Sequence, residues 1–282
     1  MDKACDLHAH SLYSDGTCTP AELILFAEEK GLSHLALTDH NTVLGLRDFL
    51  QAAETSLVEA VPGIEISCGF QGKEVHILGL YLPPASFDEV HTFVQEIHRR
   101  KDESNRQLVQ RLRDAGYDLC YETLVANTRG GHINRAHIAK AMLEKGDVPS
   151  VEAAVKGVLS PAYGLYQPPE RLDALEAVRR LAAWGAVPVL AHPFLNQTES
   201  ELHIFLPQAR AAGLIGMETR YPLYDEPTAR LAAQMARQYG LLESGGSDFH
   251  GAIKPHIALG TGTGSLFVPA AFAEGIRRCS KG

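Results

Sequence analysis

His8 and His10 form a His-x-His pair directly after a short apolar run, and Asp15 opens an Asp-Gly turn soon afterwards. A second apolar run ends in Thr38-Asp39-His40-Asn41. Imidazoles and carboxylates together make a mixed nitrogen and oxygen donor set, which suits Zn, Mn or Fe better than an ion that takes oxygen alone. One His-x-His pair is weak evidence for a metal, because most single histidines lie on the surface or pack in the core. Repetition strengthens it: Glu65, His76, His192, Asp248 and His250 also stand at or near the ends of apolar runs. With His8, His10, Asp15 and His40 they make nine candidate donors. Each has a plainer reading too. Asp15 before Gly16 is a common turn residue, Glu65 a solvated strand end, His76 a core histidine and His192 before Pro193 a loop residue. Asp39 is read as a structural residue behind His40 rather than a ligand, and Glu218 as structural or substrate-facing.

The elements that must carry these residues alternate along the chain. Residues 3–7 read as a short strand; Thr19 then caps a helix, with Pro20 at its first position, Glu22 completing a capping box and Gly31 ending it. Strand 34–38, helix 43–54, extended segments 58–61 and 64–67 around Pro62-Gly63, and a returning strand 75–80 follow. One long polar helix, 87–115, interrupts the alternation behind a second capping box at Ser86 and Glu89, and shorter helices at 134–145 and 151–158 come after it. Helix 172–184, strand 187–191, helix 199–212 with a kink at Pro207, strand 215–219, helix 228–239, strand 241–244 and helix 269–279 resume the pattern. Repeated strand-helix units imply parallel strands with helical crossovers. Reactive groups at nearly every strand end point to a closed barrel, whose loops converge on one rim, rather than an open sheet with a single switch point. The expected fold is an α/β barrel of about seven strands formed by residues 1–99 and 169–282, with a helical insertion at 100–168 that caps it.

Composition narrows the function. The 282 residues are 45% hydrophobic and 21% charged, an ordinary soluble globular balance. A net charge of -8 argues against an extended basic surface for duplex nucleic acid. The five cysteines are scattered and never form a C-x-x-C pair, so a reducing cytoplasm is the expected compartment. No run reaches the ~18 apolar residues of a membrane helix, and no obligatory protein partner is evident. Glycine-rich nucleotide loops and a G-x-S-x-G nucleophile motif are both missing.

Read in order, the segments H-x-H, S-D-G, T-D-H-N, G-I-E, V-H-I-L-G, A-H-P and G-S-D-F-H resemble the motif set of the PHP (polymerase and histidinol phosphatase) family, from Asp6 to about His256. The resemblance implies a distorted seven-stranded (β/α)7 TIM-like barrel and a trinuclear divalent metal centre, with Mn2+ first and Fe2+ or Zn2+ as alternatives. It assigns one ion to His8, His10, Glu65 and Asp248, a second to Asp15, His40 and His250, and a third to Glu65, His76 and His192. The chemistry agrees: clustered cations neutralise phosphate oxygens, and a hydroxide bridging two of them is a nucleophile at neutral pH. The expected reaction is in-line hydrolysis of a phosphoester, with a metal-bound water, His192 or His250 as candidate acids for the leaving oxygen.

A substrate grip is expected in the insertion. Residues 129–140, RGGHINRAHIAK, carry five potentially cationic groups and no acid. Asn134 and Arg135 would open a helix, whose free N–H groups favour an anion, with His137 as a weaker third contact. Tyr163 and Tyr166 are candidates for stacking on a base. An R-A-H-I-A segment in a helical insertion resembles stand-alone PHP phosphoesterases that act on nucleotides. The implied substrate is a nucleoside 3',5'-bisphosphate or the 5' end of a short oligoribonucleotide. Histidinol-phosphate phosphatase and a non-catalytic, metal-stabilised module are the alternatives.

Overall fold

Short runs of Val, Ile, Leu and Ala between turn residues become strands, and the amphipathic stretches between them become helices. The computed structural model describes residues 3–126 and 133–280. Its strands are β1 (Cys5–Asp6), β2 (His34–Leu37), β3 (Glu59–Phe70), β4 (Lys73–Leu80), β5 (Val187–Leu190), β6 (Gly216–Arg220) and β7 (Leu242–Gly245). The helices are α1 (Pro20–Glu29), α2 (Leu46–Ala53), α3 (Phe87–Asp114), α4 (Tyr121–Ala126), α5 (Arg135–Glu144), α6 (Val151–Lys156), α7 (Ala174–Ala183), α8 (Glu199–Ala212), α9 (Glu226–Gln238) and α10 (Ala270–Arg277). None of the described helices is long and apolar enough to cross a membrane.

The strands pair in chain order from β1 to β7. Backbone bonds then join the two ends: Leu7 N–H donates to the Gly245 carbonyl at 3.1 Å, Asp248 N–H to His8 at 2.8 Å and His10 N–H to Phe249 at 2.9 Å. The result is the expected seven-stranded barrel, distorted because β4 runs antiparallel to both β3 and β5. Glu65 and His76 therefore do not lie at strand ends. Pro62 does not divide β3 as the sequence pattern implies; its carbonyl still accepts from Leu82 N–H at 2.9 Å, and the strand continues to Phe70. The long β3–β4 hairpin runs on, and Glu65 and His76 stand within it. One core cluster gathers Leu7, Val61, Leu78 and Val189, and paired residues of adjacent strands point to the same face, so Glu65 shares a face with Leu78.

The chain divides into two compact units, Met1–Thr92 with Arg171–Gly282, and Phe93–Glu170. The first holds the barrel. Thr19 caps α1 with the expected capping box to Glu22, and α8 continues through Pro207. Ser86 donates its hydroxyl to the Trp184 carbonyl at 2.7 Å, and a 3-10 turn, Pro84–Ser86, leads into α3. The second unit has its own core, in which Leu108, Leu112, Ile138, Met142 and Leu159 are buried together.

Candidate metal centre

Glu65 is fully buried and ringed by imidazoles. Its Oε1 lies 2.8 Å from His76 Nδ1 and 3.1 Å from His192 Nε2; its Oε2 lies 3.1 Å from His8 Nε2, 3.2 Å from His10 Nε2 and 3.1 Å from His40 Nδ1. Asp248 Oδ1 approaches His10 Nε2 at 3.1 Å and His8 Nε2 at 3.6 Å. Asp15 Oδ1 is 3.3 Å from His250 Nε2 and 3.7 Å from His10 Nδ1. All nine residues singled out in the sequence thus come together in one cluster. Three sets among them keep every donor atom within 4.8 Å of the others: His8, His10 and Glu65; His10, Asp15, His40 and His250; and His40, Glu65 and His76. The first lacks the Asp248 that the resemblance implied, and the second adds His10 to the implied Asp15, His40 and His250. The third has His40 where the resemblance put His192, and His192 stands on the other side of the same Glu65 oxygen that meets His76.

Local backbone explains how the chain delivers these side chains. Residues two apart on an extended segment face the same side, so the His8 and His10 rings sit 5.1 Å apart with both Nε2 atoms toward Glu65. Asn41 N–H donates to the Glu65 carbonyl at 2.8 Å and Glu65 N–H to Asp39 at 3.2 Å, which zips the β2 exit along β3 and places His40 beside Glu65. Asp39 is spent on the loop, accepting from Ser11 N–H at 2.7 Å and from the Ser11 and Ser14 hydroxyls at 2.6 Å each. Three non-glycine residues with positive φ belong to the centre or flank it: Asn41 (50°), His192 (28°) and Asp248 (52°). Such conformations cost of order 1–3 kcal/mol and persist where the surroundings dictate them. Gly246 lies so close to His8 that a Cβ would stand 2.4 Å from the His8 backbone nitrogen.

Hydrogen bonding tests whether the cluster suits a cation. His8 Nδ1 lies 3.0 Å from Glu218 Oε1. An ionised carboxylate only accepts, so Nδ1 carries a hydrogen, and Nε2 meets Glu65 Oε2 either with a second ring proton or with a cation. Burial opposes that second proton, but the Glu65, Glu218 and Asp248 carboxylates favour it by raising the His8 pKa. Either way positive charge lies between the two atoms, which are 3.1 Å apart. His76 repeats the arrangement, with Nε2 at 3.2 Å from Glu74 and Nδ1 toward Glu65. His250 sets Nδ1 against the Asp248 carbonyl at 2.7 Å and turns Nε2 to Asp15. Both ring nitrogens of His10, and Nδ1 of His40, are buried and face carboxylate oxygens at 3.1–3.7 Å without the geometry of a hydrogen bond. Unsatisfied buried polar atoms are rare and call for an explanation; an ion supplies one.

Charge tells the same story. Burial opposes a proton on His10 and His76, but the Asp248 and Glu65 carboxylates around His10 raise it to about 9, and Glu65 with Glu74 raise His76 to about 10. Burial alone would raise Glu65, and the surrounding imidazoles hold it well below the usual carboxylate range. For His40 burial prevails and lowers it to about 3, the neutral form that ligates. These shifts favour positive charge between the ring nitrogens and the carboxylates, charge that a cation would supply in place of protons. Nitrogen and carboxylate donors in these numbers fit Mn, Fe or Zn.

Sequence reasoning named Glu218 as structural or substrate-facing and missed three other partners of the cluster, Tyr221, Lys254 and Glu74. Glu218 lies in the middle of β6, and no motif contains it. Tyr221 and Lys254 both donate to Asp248 Oδ2, at 2.9 and 2.8 Å. Glu74 holds His76 and is itself bonded by Arg171 at 3.1 Å. Alternation on β4 could have found Glu74, two residues before His76; Tyr221 and Lys254 left no local signal. Among the remaining histidines, His34 lies 3.5 Å from Glu59 and His203 pairs with Tyr239 at 2.6 Å.

The expected substrate contacts belong to the second unit. Asn134 caps α5 reciprocally with His137: the Asn134 side chain accepts from His137 N–H at 3.0 Å, and His137 Nδ1 accepts from Asn134 N–H at 3.1 Å. Arg135 donates to the Leu159 carbonyl at 3.3 Å and lies over the Tyr166 ring at 4.7 Å. Tyr163 is 60% exposed, open enough to stack on a base. The first part of the basic stretch, residues 129–132, lies outside the described residues.

The family model described as PHP domain matches residues 6–162, more than half of the chain. The chain belongs to the PHP family. Among curated PHP relatives, the 5'-3' exoribonuclease of Haemophilus influenzae is 30% identical, with 89% of this chain and 91% of that protein covered. The phosphoribosyl 1,2-cyclic phosphate 1,2-diphosphodiesterase of Eggerthella lenta is 32% identical over 89% of this chain and 97% of its own length. The 3',5'-nucleoside bisphosphate phosphatase of Chromobacterium violaceum is 29% identical over 87% and 86%. The solved structure of an amidohydrolase from Chromobacterium violaceum, with bound sulfate and no metal, superposes on this PHP chain with a TM-score of 0.81 at 26% identity, covering 98% of this chain and 96% of that one.

Proposed function

We propose that this PHP protein is a divalent-metal-dependent phosphoesterase that hydrolyses a phosphate monoester of a nucleotide, foremost a nucleoside 3',5'-bisphosphate or the 5' end of a short oligoribonucleotide. The observation that carries the reading is the Glu65-centred cluster, in which five imidazole nitrogens surround one buried carboxylate at 2.8–3.2 Å. When bound, divalent ions supply Lewis acidity there and lower the pKa of a coordinated water. Glu65 would hold ions through both oxygens, since one faces His8, His10 and His40 and the other His76 and His192. Asp248, Asp15 and His250 complete the donor set. His192 and His250 each turn a ring nitrogen into the cluster, so we assign both as ligands; a coordinated nitrogen has no proton to give.

The chain's own contribution to substrate choice is assigned to the second unit. Arg135 grips the phosphate that does not react, its planar fork suited to two oxygens at once. Asn134 and His137 keep the α5 N-terminus ordered around it, and Tyr163 or Tyr166 meets the base. The names of the Haemophilus influenzae and Chromobacterium violaceum relatives support a nucleotide substrate. Three ions, Mn2+ as the native metal and a cytoplasmic setting belong to the same proposal; the mixed donor set and five unpaired cysteines support the last two.

A second reading, hydrolysis of a cyclic phosphodiester, rests on the Eggerthella lenta relative, which has the higher identity. Steady-state assays with Mn2+ separate the readings. Adenosine 3',5'-bisphosphate, a 5'-phosphorylated short oligoribonucleotide, a ribose 1,2-cyclic phosphate and histidinol phosphate are compared by kcat/KM. The bisphosphate or the oligoribonucleotide is expected to lead. A lead for the cyclic phosphate overturns the monoester assignment, and a lead for histidinol phosphate overturns the nucleotide.

A further inference from the structure

Strand β6 is the exception on the rim. The segments leaving β1, β2, β5 and β7 carry His8, His10 and Asp15, then His40, His192, and Asp248 with His250; β3 and β4 carry Glu65 and His76 within them. None of the nine comes from β6. Yet Glu218 is fully buried and Tyr221, just past the strand, is 6% exposed. An unpaired carboxylate at such depth would be strongly unfavourable. Glu218 is paired on both oxygens: Oε1 with His8 Nδ1 at 3.0 Å, and Oε2 with the backbone N–H of His192 at 2.6 Å. Three residues on, the Tyr221 hydroxyl donates to Asp248 Oδ2 at 2.9 Å, and the Tyr221 ring lies 5.5 Å from that of His192.

These contacts act on three ligand-bearing segments that are remote from one another in sequence. We propose, resting on the metal-centre reading above, that β6 is the positioning strand of the centre. Glu218 fixes His8 in the tautomer with hydrogen on Nδ1, so that Nε2 is the ligating atom, and holds the His192 backbone at its positive φ. Tyr221, helped by Lys254 on the same oxygen, occupies Asp248 Oδ2 and leaves Oδ1 for the ion. Because both Glu218 oxygens are engaged by N–H groups, Glu218 stands behind His8 and is not a ligand beside it. Donor atoms are thereby set in place before an ion arrives, which removes reorganisation from binding and raises affinity.

The test measures metal affinity apart from turnover. Mn2+ is titrated into metal-free wild-type protein, Glu218→Gln, Tyr221→Phe and Thr219→Val, with free Mn2+ followed by electron paramagnetic resonance, and thermal unfolding of each metal-free form is recorded. Thr219 lies on the same strand, fully buried, but its hydroxyl bonds Glu243 at 2.8 Å, away from the ligands. Glu218→Gln keeps the shape but cannot accept from both N–H groups, and is expected to weaken Mn2+ binding by roughly 10–100-fold. Tyr221→Phe should weaken it in the same direction by less. Thr219→Val should lower Tm without moving the Mn2+ affinity. Wild-type affinity in both Glu218→Gln and Tyr221→Phe overturns the role of β6, as does an equal loss in Thr219→Val. Should Glu218→Gln fail to fold, Tyr221→Phe against Thr219→Val decides by the same criterion. Wild-type protein that takes up no Mn2+ overturns the metal-centre reading itself, an outcome distinct from bound Mn2+ with unchanged variants.

Discussion

Glu65 Oε1 lies 2.8 Å from His76 Nδ1, and the other nitrogen of that ring lies 3.2 Å from Glu74. The imidazole stands between two carboxylates that can only accept. A neutral ring has one hydrogen to give, so the two contacts together require positive charge, as a second proton on the ring or as a cation at one nitrogen. Glu65 makes comparably close contacts with four further histidines, and the centre depends on its negative charge.

Glu65→Gln is therefore the most damaging conservative change. The amide turns an NH2 group toward imidazoles that present lone pairs and removes the bridging charge. Mn2+ affinity should fall by at least about 100-fold, beyond the range seen when only a residue behind a ligand is lost, with phosphoesterase turnover falling alongside. Equilibrium dialysis checks the first and phosphate release the second. Wild-type Mn2+ stoichiometry in the variant would remove Glu65 from the centre.

Chelation should cost stability as well as activity. Ions that bind only the folded state stabilise it by about 2.7 kcal/mol at a hundredfold excess over Kd. For a chain of this length that corresponds to several degrees of Tm. Differential scanning fluorimetry with EDTA, then with Mn2+ restored, should show a fall and a recovery that parallel turnover. A Tm that drops while no condition gives turnover would mark a structural metal without catalysis.

Gly246→Ala tests close packing at the centre. The new methyl would stand 2.4 Å from the His8 nitrogen and Cβ and 2.8 Å from Asp6 Oδ1. Asp6 is fully buried and accepts from Ser247 N–H at 2.8 Å and Gly260 N–H at 2.8 Å, so it has little room to move. Overpacking of this kind costs roughly 1–3 kcal/mol. Urea unfolding should report that loss, and displacement of His8 should weaken Mn2+ binding in the protein that remains folded.

Arg135→Ala separates the two phosphates of the substrate. Loss of a hydrogen bond to a charged group is worth about 1.5–3 kcal/mol, so kcat/KM for adenosine 3',5'-bisphosphate should fall roughly 10–150-fold. Adenosine 5'-monophosphate, which lacks the second phosphate, should be affected little. Equal losses on both substrates would mean that Arg135 does not read the non-reacting phosphate.

The donors were legible because each sits in a short local pattern: His8 and His10 two apart, Asp15 in an Asp-Gly turn, Asp248 and His250 two apart after a glycine pair. Barrel topology followed from alternation of strand and helix, and from the reactive groups recurring near strand ends. Glu218 and Tyr221 were not legible in this way. Glu218 acts on His8 from 210 residues away, and only the closure of the barrel brings them within 3.0 Å. Tyr221 looks like any loop tyrosine until Asp248 is placed against it. The strand limits around Pro62 were misplaced for a different reason: a proline removes one donor from a strand, and the Pro62 carbonyl keeps its partner, so β3 runs through it.

The β3–β4 hairpin pairs Ser67 with His76 and Glu65 with Leu78. Side chains change face at every residue of a strand, so the number of residues in these paired segments is as constrained as their identity. Between Phe70 and Lys73 the tip is a two-residue turn, Gln71 and Gly72, with both residues at positive φ (48° and 82°). A single deletion between Glu65 and Ser67, or between His76 and Leu78, would swing a donor side chain to the outer wall and disarm the enzyme while leaving all nine donor residues in the gene.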